Sequence, residues 1–154
     1  MAASIMIHNV LTLPLLLVLA FLLPPAPVTC NNILPPGGLL TEGQSLVSPN
    51  GMFELIFQAA DRNLVLYHGV TPLWASNTAN IYYPGSVFVS MDVDGQLTFR
   101  TVKTNYYLAT MNPGPYCPEG LSGHLEVRDV GNFVIFCGPH DYVTQYTSNP
   151  PVSS

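Results

Sequence analysis

The chain has 154 residues, with four Lys and Arg against nine Asp and Glu for a formal net charge of −5. That length allows one domain of ordinary size. An acidic chain without a basic stripe excludes nucleic acid as the natural partner, because phosphate recognition needs clustered cations.

Residues 10–23 are nearly unbroken apolar sequence, followed by Pro24-Pro25-Ala26-Pro27 and then Val28-Thr29-Cys30, small residues where a signal peptidase reads. The run is shorter than the roughly 20 residues of a membrane span, and Pro14 interrupts it. Residues 1–30 therefore read as a secretory signal peptide, with a domain at 31–146 and a loose tail at 147–154. The expected address is extracellular or vacuolar, with no membrane contact after cleavage. No Lys or Arg precedes the run, so a retained anchor is the rival reading. Past Cys30 the cysteines are Cys117 and Cys137, 20 positions apart. In an oxidising compartment they are expected to pair, for about 3 kcal/mol by loop entropy. Two buried thiols are the alternative, and neither Cys has a metal-site spacing.

Residues 39–47, with Thr41-Glu42-Gly43 at their centre, read as a strand, a turn and a short strand. Pro49-Asn50-Gly51 is a turn. Residues 52–58 alternate, with Phe53, Leu55 and Phe57 on one face and Met52, Glu54, Ile56 and Gln58 on the other. Asp61-Arg62-Asn63-Leu64-Val65-Leu66-Tyr67 alternates too. Read as one strand, it sets Asp61, Asn63, Val65 and Tyr67 in line on one face. A sugar edge needs such a set: a carboxylate accepts from a hydroxyl, an amide donates and accepts, a phenol does either, and Val covers apolar C–H groups. The wet face of an ordinary edge strand has the same pattern.

Gly69 and Pro72 end that strand, and Leu73-Trp74-Ala75-Ser76-Asn77-Thr78 follows as a short strand with the single Trp. After Pro84-Gly85, residues 86–92 and 96–102 are two strands joined by Val93-Asp94-Gly95, because Asp-Gly favours a tight hairpin turn. Residues 106–111 are a strand, and Asn112-Pro113-Gly114-Pro115 opens a long loop to Gly123. Residues 125–130 and 133–137 form a hairpin around Gly131-Asn132, and 142–146 are a last strand. No segment keeps a helical period over ten residues, so the class is all-β. His68, His124 and His140 have no metal-ligand spacing, and no nucleophile signature is present. A glycosidase needs two carboxylates flanking the sugar, and Asp61 has no evident partner. No enzyme, metal or cofactor is expected.

Asn63-Leu64-Val65-Leu66-Tyr67, Gln96-Leu97-Thr98-Phe99-Arg100 and Asn132-Phe133-Val134-Ile135-Phe136 recur at spacings of 33 and 36 residues, a period that marks repeated supersecondary units around a shared core. With the start Asn31-Asn32-Ile33-Leu34, the match of residues 61–67 to the motif Q-x-D-x-N-x-V-x-Y, and Trp74-Ala75-Ser76-Asn77-Thr78, the chain resembles the monocot mannose-binding, or bulb-type, lectins over residues 31–136. The resemblance implies a type II β-prism of three four-stranded antiparallel sheets with pseudo-threefold symmetry, each sheet with one potential mannose pocket. The expected activity is binding of mannose or mannose-containing glycans, weakly.

Carried over residue by residue, the motif gives carbohydrate-binding roles to Asp61, Asn63, Val65 and Tyr67. Its Gln position falls on Ala59, and Gln58, one residue earlier, could rejoin only through a bulge. The second repeat holds Asp92, Asp94, Gln96, Thr98 and Arg100, so Asp94 and Gln96 remain of a degenerate pocket on what reads as a solvated face. The third holds Arg128, Val130, Asn132, Val134 and Phe136, leaving Asn132 and Val134, with Asp129 one position out of register. The family's usual disulfide positions are Arg62 and Val87 here, and the Cys117–Cys137 pair looks like a relocated staple. In the second and third units Tyr106-Tyr107 and Tyr142 to Tyr146 stand in the Trp strand's place, so Tyr is expected to fill the core. The resemblance also implies a homodimer, although the sequence after Phe136 departs from the pattern. The alternative reading is a lectin-fold protein that has lost sugar binding and acts through protein–protein contacts.

Overall fold

The computed structural model describes residues 31–79, 83–111, 116–139 and 144–148. The signal-peptide reading of residues 1–30 and most of the tail reading lie outside them, as do His140 and Tyr142. The described residues form twelve strands and no helix: β1 Ile33–Leu34, β2 Leu39–Thr41, β3 Ser45–Val47, β4 Phe53–Phe57, β5 Leu64–His68, β6 Thr71–Ala75, β7 Val87–Met91, β8 Leu97–Thr101, β9 Tyr107–Thr110, β10 Gly123–Arg128, β11 Asn132–Cys137 and β12 Thr144–Thr147. They make three antiparallel four-stranded sheets, ordered β3-β4-β5-β6, β2-β7-β8-β9 and β1-β10-β11-β12. The repeat thus contributes three consecutive strands to each sheet. The fourth strand of every sheet comes from residues 33–47, dealt out in reverse chain order: β3 to the first sheet, β2 to the second, β1 to the third.

Alternation sets the core. Leu55, Phe57, Leu64 and Leu66 of the first sheet, Val87, Val89, Met91, Leu97 and Phe99 of the second, and Leu125, Val127, Phe133 and Ile135 of the third are buried in one cluster. Aromatic edges lock the sheets together: Phe57 meets Phe99 edge-on at 5.6 Å between centroids, and Trp74 meets Phe133 at 4.8 Å. Pro72 lies inside β6 instead of before it, which an edge strand tolerates. The expected core tyrosines of the second unit are outside: Tyr106 is 65% and Tyr107 47% exposed. A register shift in the β8–β9 pairing sets Tyr107 opposite Arg100 on the outer face and Ala109 opposite Phe99 on the inner one. Leu108, Ala109 and Met111 pack on the core in their stead.

Each of the three motif turns docks on the loop that leads into the next sheet's long hairpin. From the first turn, Arg62 Nη1 donates to the Tyr83 carbonyl, and Arg62 Nε contacts Glu42 Oε1 at 3.1 Å. The guanidinium thereby ties a position to which the resemblance assigns half of a disulfide. At the second turn, Cys117 N donates to the Asp94 carbonyl at 2.7 Å and Gly123 N to that of Val93 at 2.9 Å. At the third, Asp129 Oδ1 accepts from Asn50 N at 2.9 Å. Cys117 and Cys137 are bonded, and the bridge backs the second joint. A Cβ on Gly95 would lie 2.5 Å from Cys117 Sγ, and one on Gly123 2.3 Å from Gly95 Cα. Gly95 also has φ +88°, a region that strains an L side chain. Gly95→Ala is therefore expected to destabilise the domain by about 3 kcal/mol, the sum of overpacking and backbone strain, and to lower the melting temperature by roughly 10 °C. A thermal melt followed by circular dichroism checks this.

Candidate functional site

The candidate residues sit on three hairpins, β4–β5, β7–β8 and β10–β11, that share one closing geometry. In the first, Gln58 N donates to the Asn63 carbonyl at 2.9 Å; in the second, Asp92 N donates to the Gln96 carbonyl at 2.8 Å. In the third, Arg128 pairs with Asn132. Gln58, Asp92 and Arg128 are thus equivalent positions. Residues 93–95 and 129–131 turn the second and third hairpins, each with a positive-φ Gly, Gly95 and Gly131. The first hairpin turns over residues 59–62, one residue longer, with Arg62 at φ 61° and its N–H bonded to the Gln58 carbonyl at 2.9 Å.

This geometry corrects the reading of residues 61–67 as one strand. Strand β5 begins at Leu64, and Asp61 belongs to the turn before it, where its exposed carboxylate accepts from Asn63 N at 3.1 Å. Alternation does not run across a chain reversal, so Ala59 is not the motif's Gln position. The longer turn absorbs the extra residue and leaves Gln58 on the same face as Asn63. No strand bulge is needed. Gln58 Nε2 reaches Tyr67 Oη at 2.9 Å, across nine residues of sequence. The doubled Ala59-Ala60 just after a Gln was the signal that an insertion, rather than a loss, separated Gln58 from Asp61.

The first face therefore carries Gln58, Asn63, Val65 and Tyr67, with Asp61 at its turn end. Register places Gln58 beside Asn63, Ile56 beside Val65 and Glu54 beside Tyr67, while the alternate residues Leu64 and Leu66 go to the core. Asn63 is held from behind: its Oδ1 accepts from Ser76 Oγ at 2.8 Å and from Thr78 N at 3.2 Å. A backbone N–H can only donate, so the atom facing it is the amide oxygen, and the –NH2 arm is the one left for a ligand. Gln58 supplies a hydrogen to Tyr67, leaving the phenol O–H free to donate. Asp61 retains acceptor capacity. Together the face offers donors from Asn63 and Tyr67, acceptors from Asp61 and Gln58, and an apolar floor at Val65, which is buried.

The second face is filled by its own side chains. Asp92 accepts from Ser90 Oγ at 2.9 Å and Thr98 Oγ1 at 3.1 Å, and it pairs with Arg100 Nη2 at 2.6 Å. Arg100 Nε donates in turn to Thr98 Oγ1 at 2.9 Å. Asp94 caps its turn through Gln96 N at 3.2 Å, and Gln96 and Thr98 are buried. The expectation of a solvated face fails because the cation at the Tyr position folds down onto the carboxylate at the Gln position. On the third face Asn132 and Val134 are buried, Phe136 stacks on His124 with centroids 5.5 Å apart, and one oxygen of Asp129 accepts from Asn50 N. Among the described residues no three His, Cys, Asp or Glu side chains gather as a metal site.

No protein-family profile matches the chain. It is 42% identical over 66 residues to plumieribetin, a B-type lectin of Scorpaena plumieri, a match spanning 43% of this chain and 54% of that protein, so the chain spans about half the length of that relative. Its structure is similar to the mannose-specific agglutinin of snowdrop, Galanthus nivalis, solved with methyl-α-D-mannoside: 32% identity, TM-score 0.58, 73% of this chain and 94% of that one. It also resembles a monomeric monocot mannose-binding lectin of Gastrodia elata, with 24% identity, TM-score 0.64, 79% of this chain and all of that one.

Ser76 connects the face to the scaffold, since its Oγ also accepts from the N–H of buried Leu64 at 3.0 Å. Ser76→Ala orphans that donor, for about 2 kcal/mol and a melting temperature lower by roughly 5–10 °C. Ser76→Thr, which keeps the hydroxyl, is expected to retain most of the stability in the same melt.

Proposed function

The chain belongs to the monocot mannose-binding (bulb-type) lectin family, and from that premise we propose that it is a secreted, non-enzymatic lectin whose first face binds terminal mannose weakly. The observation that carries this reading is Gln58 Nε2 at 2.9 Å from Tyr67 Oη. It completes, on one face with Asp61, Asn63 and Val65, the set of groups that the family motif brings to a sugar. Binding is weak for two reasons. The second face is occupied by its own side chains and the third carries Phe136 in place of the tyrosine, so one pocket per chain does the work. The ligand must also share or displace the Gln58–Tyr67 bond.

The test is retention of the mature protein on a mannan column and its elution by free mannose, beside Tyr67→Phe. The variant loses one hydroxyl and should bind about five- to tenfold more weakly, as expected for one hydrogen bond of roughly 1 kcal/mol. Flow-through of the wild type would end the mannose reading. It would favour the second one, a lectin-fold protein acting through protein contacts, to which the self-filled second face and the altered third point. Secretion is supported by the apolar run at residues 10–23 and by the Cys117–Cys137 bridge. Expressed in a eukaryotic secretory host, the protein should appear in the medium with Asn31 as its first residue by N-terminal sequencing; a cell-retained product still carrying residues 1–30 would instead support the anchor.

A further inference from the structure

The proposed pocket is bordered by carboxylates at both ends. Asp61 stands exposed at the turn end. At the other end Glu54 is half-buried on the same face, because its register partners are Tyr67 on one side and Val47 on the other. Tyr67 leans along the groove towards Gln58, away from Glu54, so the space beside the ring's base is bounded by Glu54. Glu54 lies four residues along β4 from Gln58, about 13 Å. That is too far to join a catalytic pair with the carboxylate at the turn, yet close enough to meet a substituent or further sugar extending past Tyr67.

Among the described residues no ion pair joins Glu54 or Asp61 to a Lys or Arg side chain. The chain has four Lys and Arg in all. Arg62 turns away from the face to Glu42 and the Tyr83 carbonyl, and Arg100 is bound to Asp92 on the second sheet. Lys103 and Arg128 form no ion pair among the described residues. The geometry points to Glu54 as the residue that biases this pocket by charge: it favours neutral or amine-bearing glycans over those carrying phosphate, sulfate or carboxylate beyond Tyr67. This rests on the sugar-binding reading of the first face and adds the class of sugar.

The experiment measures, by titration calorimetry on the mature protein, the affinity ratio between a neutral mannose trisaccharide and the same trisaccharide carrying one phosphate. At about 10 mM salt the Debye length is about 30 Å, and one added like-charge contact near 8 Å weakens binding about threefold. The wild type should therefore prefer the neutral ligand, and Glu54→Gln should lower the ratio about threefold. An amine-bearing trisaccharide should shift the opposite way. Glu119→Gln makes the same change in net charge on the loop before the third sheet and should leave the ratio where it was. A ratio unmoved by Glu54→Gln, or moved equally by Glu119→Gln, overturns the assignment while the sugar-binding reading stands. Absence of binding to the neutral trisaccharide removes both.

Discussion

The structure depends on a cycle of three docked turns. Each sheet has one apolar face, and each is closed by a strand from residues 33–47, but neither fact fixes how the sheets sit around the common core. The turns do. The first holds the loop before the second sheet, the second holds the loop before the third, and the third holds the loop before the first. Every sheet is thereby tied to both others at the point where its long hairpin starts, which leaves Phe57, Phe99, Phe133 and Trp74 no freedom to slide past one another. The three joints use different chemistry: a guanidinium on a carbonyl and a carboxylate, a pair of backbone bonds backed by a disulfide, and a carboxylate on a backbone amide. The fold requires a tie at each joint and is indifferent to its kind. That is why the family's usual cysteine positions can hold Arg62 and Val87 while a bridge forms elsewhere.

The same indifference does not extend to the outer faces. All three hairpins present equivalent positions, yet Gln58 with Tyr67, Asp92 with Arg100, and Arg128 with Phe136 have different fates. A neutral amide and a phenol make one hydrogen bond and still have donors and acceptors to spare. A carboxylate and a guanidinium at the same two positions neutralise each other, and with Ser90 and Thr98 they use up the carboxylate's capacity. An aromatic ring without a hydroxyl stacks on its cross-strand neighbour instead. The side chains at these paired positions, together with their neighbours, decide whether the polar face of a hairpin stays open or closes on itself.

Much of this was legible in the sequence. Alternation located most strands to within two residues but missed β1, began β5 three residues early and ended β6 three residues late, and the 33- and 36-residue spacings announced the threefold repeat. What alternation cannot convey is where a chain reverses. Residues 61–67 alternate as well as any strand, but Arg62 adopts a left-handed conformation, so Asp61 and Asn63 face the site from different elements. Counting by twos across that turn sends the Gln position to Ala59 and makes the return of Gln58 depend on a bulge that the longer turn renders unnecessary. The tyrosines of the second unit failed for a related reason: a register shift of one residue in β9 exchanges its faces, and nothing local to Tyr106-Tyr107 reports it. The dealing-out of β1, β2 and β3 to three sheets is a long-range pairing that residues 33–47 do not encode by themselves.

One consequence joins the scaffold to the proposed pocket. Arg62, which ties the first sheet to the second, lies between Asp61 and Asn63, and Thr78, which positions the Asn63 amide, also donates to the Arg62 carbonyl at 2.9 Å. The turn that fixes the first joint is therefore the turn that aims the pocket's carboxylate and amide. A ligand held by those groups binds only the docked turn, so its binding free energy adds to the stability of that joint by linkage. Loosening of the Arg62 tie would in turn weaken binding without removing any group that touches sugar. In the second and third hairpins the corresponding turns are also docked, and their carboxylates, Asp94 and Asp129, are exposed too, but no amide and phenol stand open beside them. Firm docking is necessary for a preorganised site, and what the first hairpin adds is a pair of side chains that do not satisfy each other completely.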